Sequence, residues 1–223
     1  MSAEDLHFLK LEGLEPVAKG RMRLVFRHPR DRGLLVKVIR PEVIDQRWGS
    51  GQPWYKKRRK FRQYISYIRE CEEYVAGCAQ HEGGLPFAQK ITGFVETDLG
   101  LGLVVEAALD HEGNLAPTLA QIVWENRFDD TIRVELETFS RQLIECDLIV
   151  ADLKPANVVR AHSPELGHHF VMIDGLGIST VVPFKTLCPA LNRLSKRGRV
   201  RDLWTRVERL RTAALNRQEI RLS

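Results

Sequence analysis

Short apolar runs separated by turn residues fill the first half of the chain. They predict strands at residues 8–11, 24–26, 34–39, 91–96 and 101–106. Turn-forming residues at 28–33 and 97–100 are placed to join neighbouring strands. A helix is predicted around residues 68–75, so this half is expected to contain five strands and one helix.

In the second half of the chain, apolar residues recur at helical spacing. Residues 119–123 begin this pattern, and 132–144 extend it as a stripe that a helix would bury in a core. Two short strands, 158–160 and 169–173, are predicted to pair across a polar loop. Residues 200–216 predict a last helix with one apolar face among many arginines. Together these elements predict an α+β fold.

The composition is that of an ordinary globular protein. Of 223 residues, 43% are hydrophobic and 28% are charged, which is enough apolar material for one large domain or two small lobes. No apolar run approaches the ~20 residues of a membrane-spanning helix, and the acidic start does not resemble a signal peptide. We therefore expect a cytoplasmic protein.

Cysteine spacing and a net charge of +5 indicate which metal sites, disulfides and partners to expect. Cys71, Cys78, Cys146 and Cys188 are widely spaced and form no CxxC pair, which argues against a zinc site and a disulfide framework. The positive charge suits anionic partners, among them nucleotides, phosphorylated sugars, nucleic acids and membrane headgroups. Charge alone does not choose among these partners.

One short loop contains a carboxylate, an ammonium and an amide. Asp152, Lys154 and Asn157 lie there between apolar segments, and a second carboxylate, Asp174, follows the next apolar run. Phosphoryl transfer needs a carboxylate that orients the attacking hydroxyl, a cation that offsets phosphoryl charge, and oxygen ligands for a metal ion. The two segments therefore predict the catalytic and metal loops of a phosphotransferase.

A lysine in the first half is a candidate for nucleotide binding. Lys37 lies within an apolar strand, where a lysine is costly to bury unless it is paired. Glu70 on the predicted helix is the preferred partner, and Glu73 is the alternative because it lies on an adjacent face.

Two further segments are candidate nucleotide contacts. Lys19, Gly20 and Arg21 combine a glycine with cations, so backbone amides and side chains there could approach phosphates. With a single glycine, the same residues also fit an ordinary basic hairpin turn. The connector after residue 105 is a predicted hinge, where main-chain groups of Glu106 and Ala108 could bind adenine.

Basic segments could contact an anionic partner outside the active site. Lys56–Arg62 combines cations with aromatic residues nearby, and the last helix carries many arginines. A solvated helix face is the ordinary explanation for both; an anionic membrane surface is the alternative, and nucleic acid is not favoured. His162, His168 and His169 match no metal-ligand spacing, so we expect them to face solvent.

The motifs resemble the protein-kinase-like superfamily, and the chain as a whole resembles a small bacterial family of YrbL type, whose members are PhoP regulatory network proteins. This closer resemblance covers most of the chain and is carried by KGRMRLV at 19–25, GFVETDLG at 93–100, LKPAN at 153–157 and IDGLGIS at 173–179. The resemblance implies one two-lobed protein-kinase-like domain. Its small five-stranded N-lobe would comprise residues 1–106, and its reduced, mainly helical C-lobe residues 107–223.

The superfamily resemblance also implies roles for individual residues, with ATP and Mg²⁺ as cofactors. It implies a catalytic pair, two magnesium ligands and an ion pair that sets the nucleotide phosphates: Asp152 and Lys154, Asn157 and Asp174, Lys37 and Glu70.

Three departures from the protein-kinase pattern bear on function. Val150 and Ala151 precede the catalytic aspartate where protein kinases usually carry His-Arg, so control by activation-loop phosphorylation is not expected. Asp-Gly-Leu-Gly replaces Asp-Phe-Gly at 174–177, and no Ala-Pro-Glu segment follows. We therefore expect the acceptor to be a glycan, a lipid-linked compound or a small molecule rather than a protein.

Two functions fit this pattern. An ATP- and Mg²⁺-dependent kinase acting on a hydroxyl acceptor is favoured because the set of catalytic residues is complete. The alternative is a nucleotide-binding regulatory module, a pseudokinase of a PhoP-type stress-response network, which the single-glycine loop and the missing His-Arg favour.

Overall fold

The computed structural model describes residues 8–48, 51, 61–81, 84–177 and 189–222. Two compact units divide the chain. The first unit comprises the residues up to Cys71 together with Lys90–Ala107, and the second comprises Glu72–Gln89 together with Ala108–Ser223. The lobe boundary expected at residue 106 stays a prediction.

The first unit is built on a six-stranded sheet in the order β1-β5-β6-β4-β3-β2. Its strands are β1 (Phe8–Leu9), β2 (Ala18–Lys19), β3 (Arg23–His28), β4 (Asp31–Ile39), β5 (Ile91–Thr97) and β6 (Gly100–Glu106). Strand β1 pairs parallel with β5, and all other pairs are antiparallel. The turns expected between β3 and β4 and between β5 and β6 are confirmed.

The sixth strand corrects the expectation of five. Ala18 pairs with Val25 and Lys19 with Leu24, so β2 adds an edge beside β3. Both β2 residues are exposed, and two residues are too few to show an alternation of apolar and polar positions. No sequence pattern could therefore mark this strand.

Two helices accompany the sheet of the first unit. Helix α1 (Pro41–Trp48) was not predicted; it begins at a proline, which is preorganised for the first helical position. Helix α2 (Ile65–Gln80) is the predicted helix, extended at both ends, and the division between the two units falls within it. The expectation for Lys56–Arg62 lies largely outside the described residues.

The second unit is mainly helical, as expected. It contains α3 (Leu119–Trp124), α4 (Asp130–Glu145), a 3₁₀ turn at Pro155–Asn157, the hairpin β7 (Val158–Ser163) and β8 (Gly167–Met172), and α5 (Pro189–Leu222). Helices α3 and α4 begin where the side chains of Thr118 and Asp129 accept hydrogen bonds from amides of the first turn. The α+β fold class is confirmed.

The core of the second unit explains the helical stripes. Leu136, Phe139 and Leu143 of α4 are buried in the same cluster as Leu203 and Val207 of α5. Helix α5 thus packs through the apolar face that the sequence indicates, although it is longer than predicted. Across the described ranges, none of the helices combines the length and apolarity that crossing a bilayer requires.

Candidate active site

Lys37 and Glu70 form a buried ion pair in the first unit. Lys37 lies on β4, and its Nζ is 3.2 Å from Oε1 of Glu70 on α2. Both side chains are buried. The hydroxyl of Tyr67, one turn earlier on α2, donates to the Lys37 carbonyl at 2.7 Å and so ties the helix to the strand. The structure therefore gives Lys37 the preferred partner, Glu70, rather than Glu73.

Arg23 is a second cation at this glutamate. Its Nη1 lies 2.6 Å from Oε2 of Glu70, and its guanidinium lies 5.0 Å from the centre of the Tyr67 ring. Burial by itself would raise the pKa of the Glu70 carboxyl, but the charges of Lys37 and Arg23 outweigh it, and the pKa is lowered. Glu70 is therefore held as a carboxylate by two cations.

Sequence reasoning missed Arg23 because it belongs to a basic stretch typical of a solvated turn. The strand register contains the missing signal. Val25 lies directly opposite Lys37 in the β3–β4 ladder, so both side chains point to the same face of the sheet. Arg23 is two residues before Val25 and shares that face, diagonal to Lys37.

Glu73 serves the second unit instead. Its Oε2 accepts a hydrogen bond of 2.8 Å from the amide of Ile149, three residues before Asp152. Burial raises the pKa of the Glu73 carboxyl, more than the hydrogen bond from Ile149 lowers it. Glu73 thus supports the chain that leads into the loop at residues 152–157.

The candidate phosphate loop is a tight turn between β2 and β3. The Gly20 amide donates to the Arg23 carbonyl at 2.9 Å, and the Gly20 carbonyl accepts from Arg40 at 3.4 Å. Lys19, Gly20 and Arg21 are all exposed. This is the geometry of a basic hairpin turn, and a role in phosphate binding stays a prediction.

The predicted hinge residues are partly engaged in main-chain hydrogen bonds. The Glu106 amide donates to the Lys90 carbonyl at 2.9 Å, and the Ala108 carbonyl accepts from the Ala116 amide at 2.9 Å. Adenine binding by main-chain groups of these residues stays a prediction.

The loop at residues 152–157 brings its three polar groups together in the second unit. Nζ of Lys154 lies 2.7 Å from Oδ2 of Asp152. The amide nitrogen of Asn157 donates to the Asp152 carbonyl at 3.0 Å and to Oδ2 of the same residue at 3.3 Å. Asn157 is buried, whereas about half of the Asp152 side chain is exposed (51%). The buried amide thus holds an accessible carboxylate in place.

The Asp174 loop is hydrogen-bonded to the Asp152 loop. The Gly175 carbonyl accepts from the amides of Ala151 and Asp152 at 2.7 and 3.2 Å, and the Ile173 amide donates to the Asn157 carbonyl at 2.9 Å. Asp174 itself is exposed, and its carboxylate accepts from the Gly175 amide at 2.8 Å. The second unit therefore brings the predicted catalytic and metal loops side by side.

The oxygen donors of these loops fit magnesium. Mg²⁺ is usually held by one or two protein oxygens together with water and substrate phosphates, rather than by a complete protein cage. The Asn157 amide and the Asp174 carboxylate are such donors. In the parts of the chain that the structure describes, no cluster of three His, Cys, Asp or Glu side chains could hold a metal ion.

Arg199 of α5 also supports the loop that contains Asp152. Its Nη1 donates to the carbonyl of Ala151, the residue directly before Asp152. Sequence reasoning missed this residue, since it is one of many arginines in a basic helix and its partner lies far away along the chain.

Gly175 occupies a position that a larger residue would disturb. Its φ is +98°, and a Cβ atom there would lie 2.5 Å from the carbonyl oxygen of Asp152. We expect Gly175→Ala to lower the free energy of unfolding by at least the ~1–3 kcal/mol of left-handed backbone strain, because a backbone clash is added to it. Chemical denaturation measures the loss.

Gly167→Ala is the matched control for this substitution. Gly167 also has a positive φ, +64°, but a Cβ atom there would have no neighbour within 4 Å. Gly167→Ala therefore measures the cost of the left-handed backbone conformation alone. If the two variants lose equal stability, the close approach of Gly175 to Asp152 is not a constraint.

Comparison with known proteins places the chain in a family. YrbL of Escherichia coli (strain K12) is 26% identical over 182 residues, which cover 80% of this chain and 78% of the relative. YrbL of Shigella flexneri gives the same values.

Among solved structures, a mutant kinase domain of PknI from Mycobacterium tuberculosis is similar over 72% of this chain, at 17% identity and a TM-score of 0.43. Rad53 residues 1–466 in complex with AMP-PNP are similar over 85% of the chain, at 14% identity and a TM-score of 0.48. The chain spans 56% of the first structure and 45% of the second. The family described as PhoP regulatory network protein YrbL matches residues 9–208, and the chain belongs to this family.

Proposed function

We propose that the protein is an ATP- and Mg²⁺-dependent phosphotransferase that acts on a hydroxyl of a glycan, a lipid-linked compound or a small molecule. The proposal rests on the two hydrogen-bonded loops of the second unit, which bring together Asp152, Lys154, Asn157 and the Asp174 loop. These are the group types that phosphoryl transfer requires.

On this proposal, Asp152 orients the acceptor hydroxyl and accepts its proton. A general base must be accessible to its substrate, and about half of the Asp152 side chain is exposed. Lys154 lies against that carboxylate, where its ammonium can offset charge on the transferred phosphoryl group.

Asn157 and Asp174 would hold the magnesium ion. The Asn157 amide nitrogen points to Asp152, so the amide oxygen is the atom that a metal would take. A bound magnesium ion neutralises charge on the phosphate oxygens.

Lys37 would bind the nucleotide phosphates in the first unit. Glu70 fixes its ammonium on the sheet, and Arg23 keeps Glu70 ionised. Lys19 and Arg21 are exposed cations that could add phosphate contacts, and the main chain of Glu106 and Ala108 would bind adenine.

A nucleotide-binding regulatory module is the second candidate. It is favoured by Val150 and Ala151 in place of His-Arg, and by the turn at Gly20, which has one glycine and internal hydrogen bonds. Such a module would bind ATP-Mg²⁺ without transferring phosphate.

One experiment separates the two candidates. The protein is incubated with γ-labelled ATP, Mg²⁺ and fractionated cell extract, alongside Asp174→Asn. We expect a labelled product that depends on Mg²⁺ and is lost in the variant, because on this proposal the exposed Asp174 carboxylate would hold the metal ion. Thermal shifts with ATP-Mg²⁺ are measured in parallel. A thermal shift without transfer supports the regulatory module. If ATP-Mg²⁺ produces no thermal shift and no phosphate is transferred, both candidates are contradicted.

A further inference from the structure

The carboxylate of Glu70 is shared between two strands of the first unit. Its Oε2 lies 2.6 Å from Nη1 of Arg23 on β3, and its Oε1 lies 3.2 Å from Nζ of Lys37 on β4. All three side chains are buried, and each carboxylate oxygen contacts one of the two cations. Together the two contacts fix both the place and the orientation of the carboxylate.

The contact with Arg23 is the tighter of the two. It is 2.6 Å long against 3.2 Å for the contact with Lys37, and the attraction between opposite charges rises as their distance falls. A guanidinium is also a planar, rigid donor, whereas a lysine ammonium is a point charge on a flexible stem. The place of Glu70 is therefore set more by Arg23 than by Lys37.

Tyr67 ties Arg23 and Lys37 to the same turn of α2. Its ring centre lies 5.0 Å from the guanidinium carbon of Arg23, a cation–π contact, and its hydroxyl donates to the Lys37 carbonyl at 2.7 Å. Tyr67 and Glu70 are three residues apart on α2, so they lie on one face of the helix. One turn of α2 therefore contacts both β3 and β4.

A nucleotide phosphate at Lys37 would compete for only one of the two contacts of Glu70. The Lys37 ammonium would then be divided between the phosphate and Oε1 of Glu70, which weakens the longer contact. The shorter contact, with Arg23, would still hold Glu70 on the sheet.

We propose that Arg23 is a positioning residue, which holds Glu70 and α2 on the sheet before and after a nucleotide binds, so that Lys37 is already in place for the phosphates. The nucleotide as ligand rests on the proposed function and is common to both of its candidates. The ion pair through which Arg23 acts does not depend on that function.

Calorimetric titration of Arg23→Gln with ATP-Mg²⁺ tests this role. Because the variant removes the shorter ion pair of Glu70, we expect the affinity for ATP-Mg²⁺ to fall by about tenfold or more, the effect of losing a hydrogen bond to a charged group. Arg23→Lys keeps the positive charge and should recover most of the affinity.

Arg27→Gln is the matched control. Arg27 lies four residues after Arg23 on the same face of β3, but it is exposed. The same loss of charge there should change the affinity for ATP-Mg²⁺ by no more than about twofold, since exposed charges contribute little. Equal losses of affinity in Arg23→Gln and Arg27→Gln would overturn the role of the buried ion pair.

A double-mutant cycle separates positioning from direct binding of the nucleotide. If Arg23 acts through Glu70, Arg23→Gln should weaken binding of ATP-Mg²⁺ by no more than about twofold in a Glu70→Gln background. The full loss of affinity in that background would show that Arg23 contacts the nucleotide itself, and the positioning role would be wrong.

Hydrogen exchange of the wild-type protein gives a measurement that needs no variant. The amides of the α2 turn that carries Glu70 should gain no more protection on addition of ATP-Mg²⁺ than the amides of β6 in the same unit, because Arg23 already holds this turn. A gain confined to the α2 turn would show that the nucleotide, rather than Arg23, orders the helix, and it would overturn the proposal.

The outcomes separate this inference from the proposed function. Binding of ATP-Mg²⁺ without transfer contradicts the kinase activity and leaves the role of Arg23 standing. If the wild-type protein binds no ATP-Mg²⁺, both candidates are contradicted, and hydrogen exchange decides the role of Arg23. Faster exchange of the α2 turn in Arg23→Gln than in Arg27→Gln then supports its role in holding α2, and equal exchange overturns it.

Discussion

Asp152→Asn should lower the rate of phosphoryl transfer by about two to four orders of magnitude, the usual contribution of a positioned general base. The carboxamide keeps the size of the carboxylate and can still accept from Lys154 and Asn157, which contact Oδ2 at 2.7 and 3.3 Å. It cannot take the acceptor proton. Folding and affinity for ATP-Mg²⁺ should therefore be unchanged, and single-turnover transfer measures the loss.

Asp147→Asn is the control for this substitution. Asp147 is exposed and lies five residues before Asp152, and its carboxylate makes no hydrogen bond among the residues that the structure describes. The same change of charge there should leave transfer unaffected. An Asp152→Asn protein with the transfer rate of the wild type would show that another group accepts the proton.

The proximity of the candidate site residues in the second unit could be predicted because these residues are nearly contiguous in sequence. Asp152, Lys154 and Asn157 lie within one turn-sized segment, so their proximity in space follows from chain geometry. The hairpin of β7 and β8 then brings the Asp174 loop back beside them, and its two apolar runs indicated that pairing.

Contacts between distant segments could not be predicted in the same way. The Arg23–Glu70 pair depends on the β3–β4 register and on how α2 packs, and neither follows from the basic stretch around Arg23. The contact of Arg199 with Ala151 likewise depends on where α5 lies. A basic residue near an apolar face has many candidate partners, and the sequence alone does not choose one.

Lys196 is an intermediate case, since the sequence contains a signal for its burial. It precedes Val200, Leu203 and Val207 at helical spacing, which places it on the apolar stripe of α5. The structure buries it almost completely, and its ammonium donates to the Cys146 carbonyl. Burial lowers the pKa of this lysine. The helical periodicity is sufficient to predict that Lys196 is buried. It does not indicate that the Cys146 carbonyl accepts a hydrogen bond from the buried ammonium.

Glu70→Gln should lower the free energy of unfolding at neutral pH by about 3–5 kcal/mol, the usual cost of removing one member of a buried ion pair. Glutamine keeps the shape, but it leaves the charges of Lys37 and Arg23 buried without their carboxylate. Because Lys37 then loses its anchor, affinity for ATP-Mg²⁺ should fall as well. Chemical denaturation and nucleotide titration measure the two effects.

The acid side of the stability profile tests the same ion pair independently. The pKa of Glu70 is lowered from its ordinary value of 4.5 in the folded protein, so below that pH the unfolded chain binds the proton first. The stability that Glu70 contributes is present above 4.5 and is lost as the pH falls through the lowered pKa. Glu70→Gln should therefore flatten the acid slope, whereas Glu72→Gln, at an exposed position of the same helix, should change neither the slope nor the stability. If the Glu70 variant kept both the stability and the acid slope of the wild type, the buried carboxylate would not be what holds Lys37.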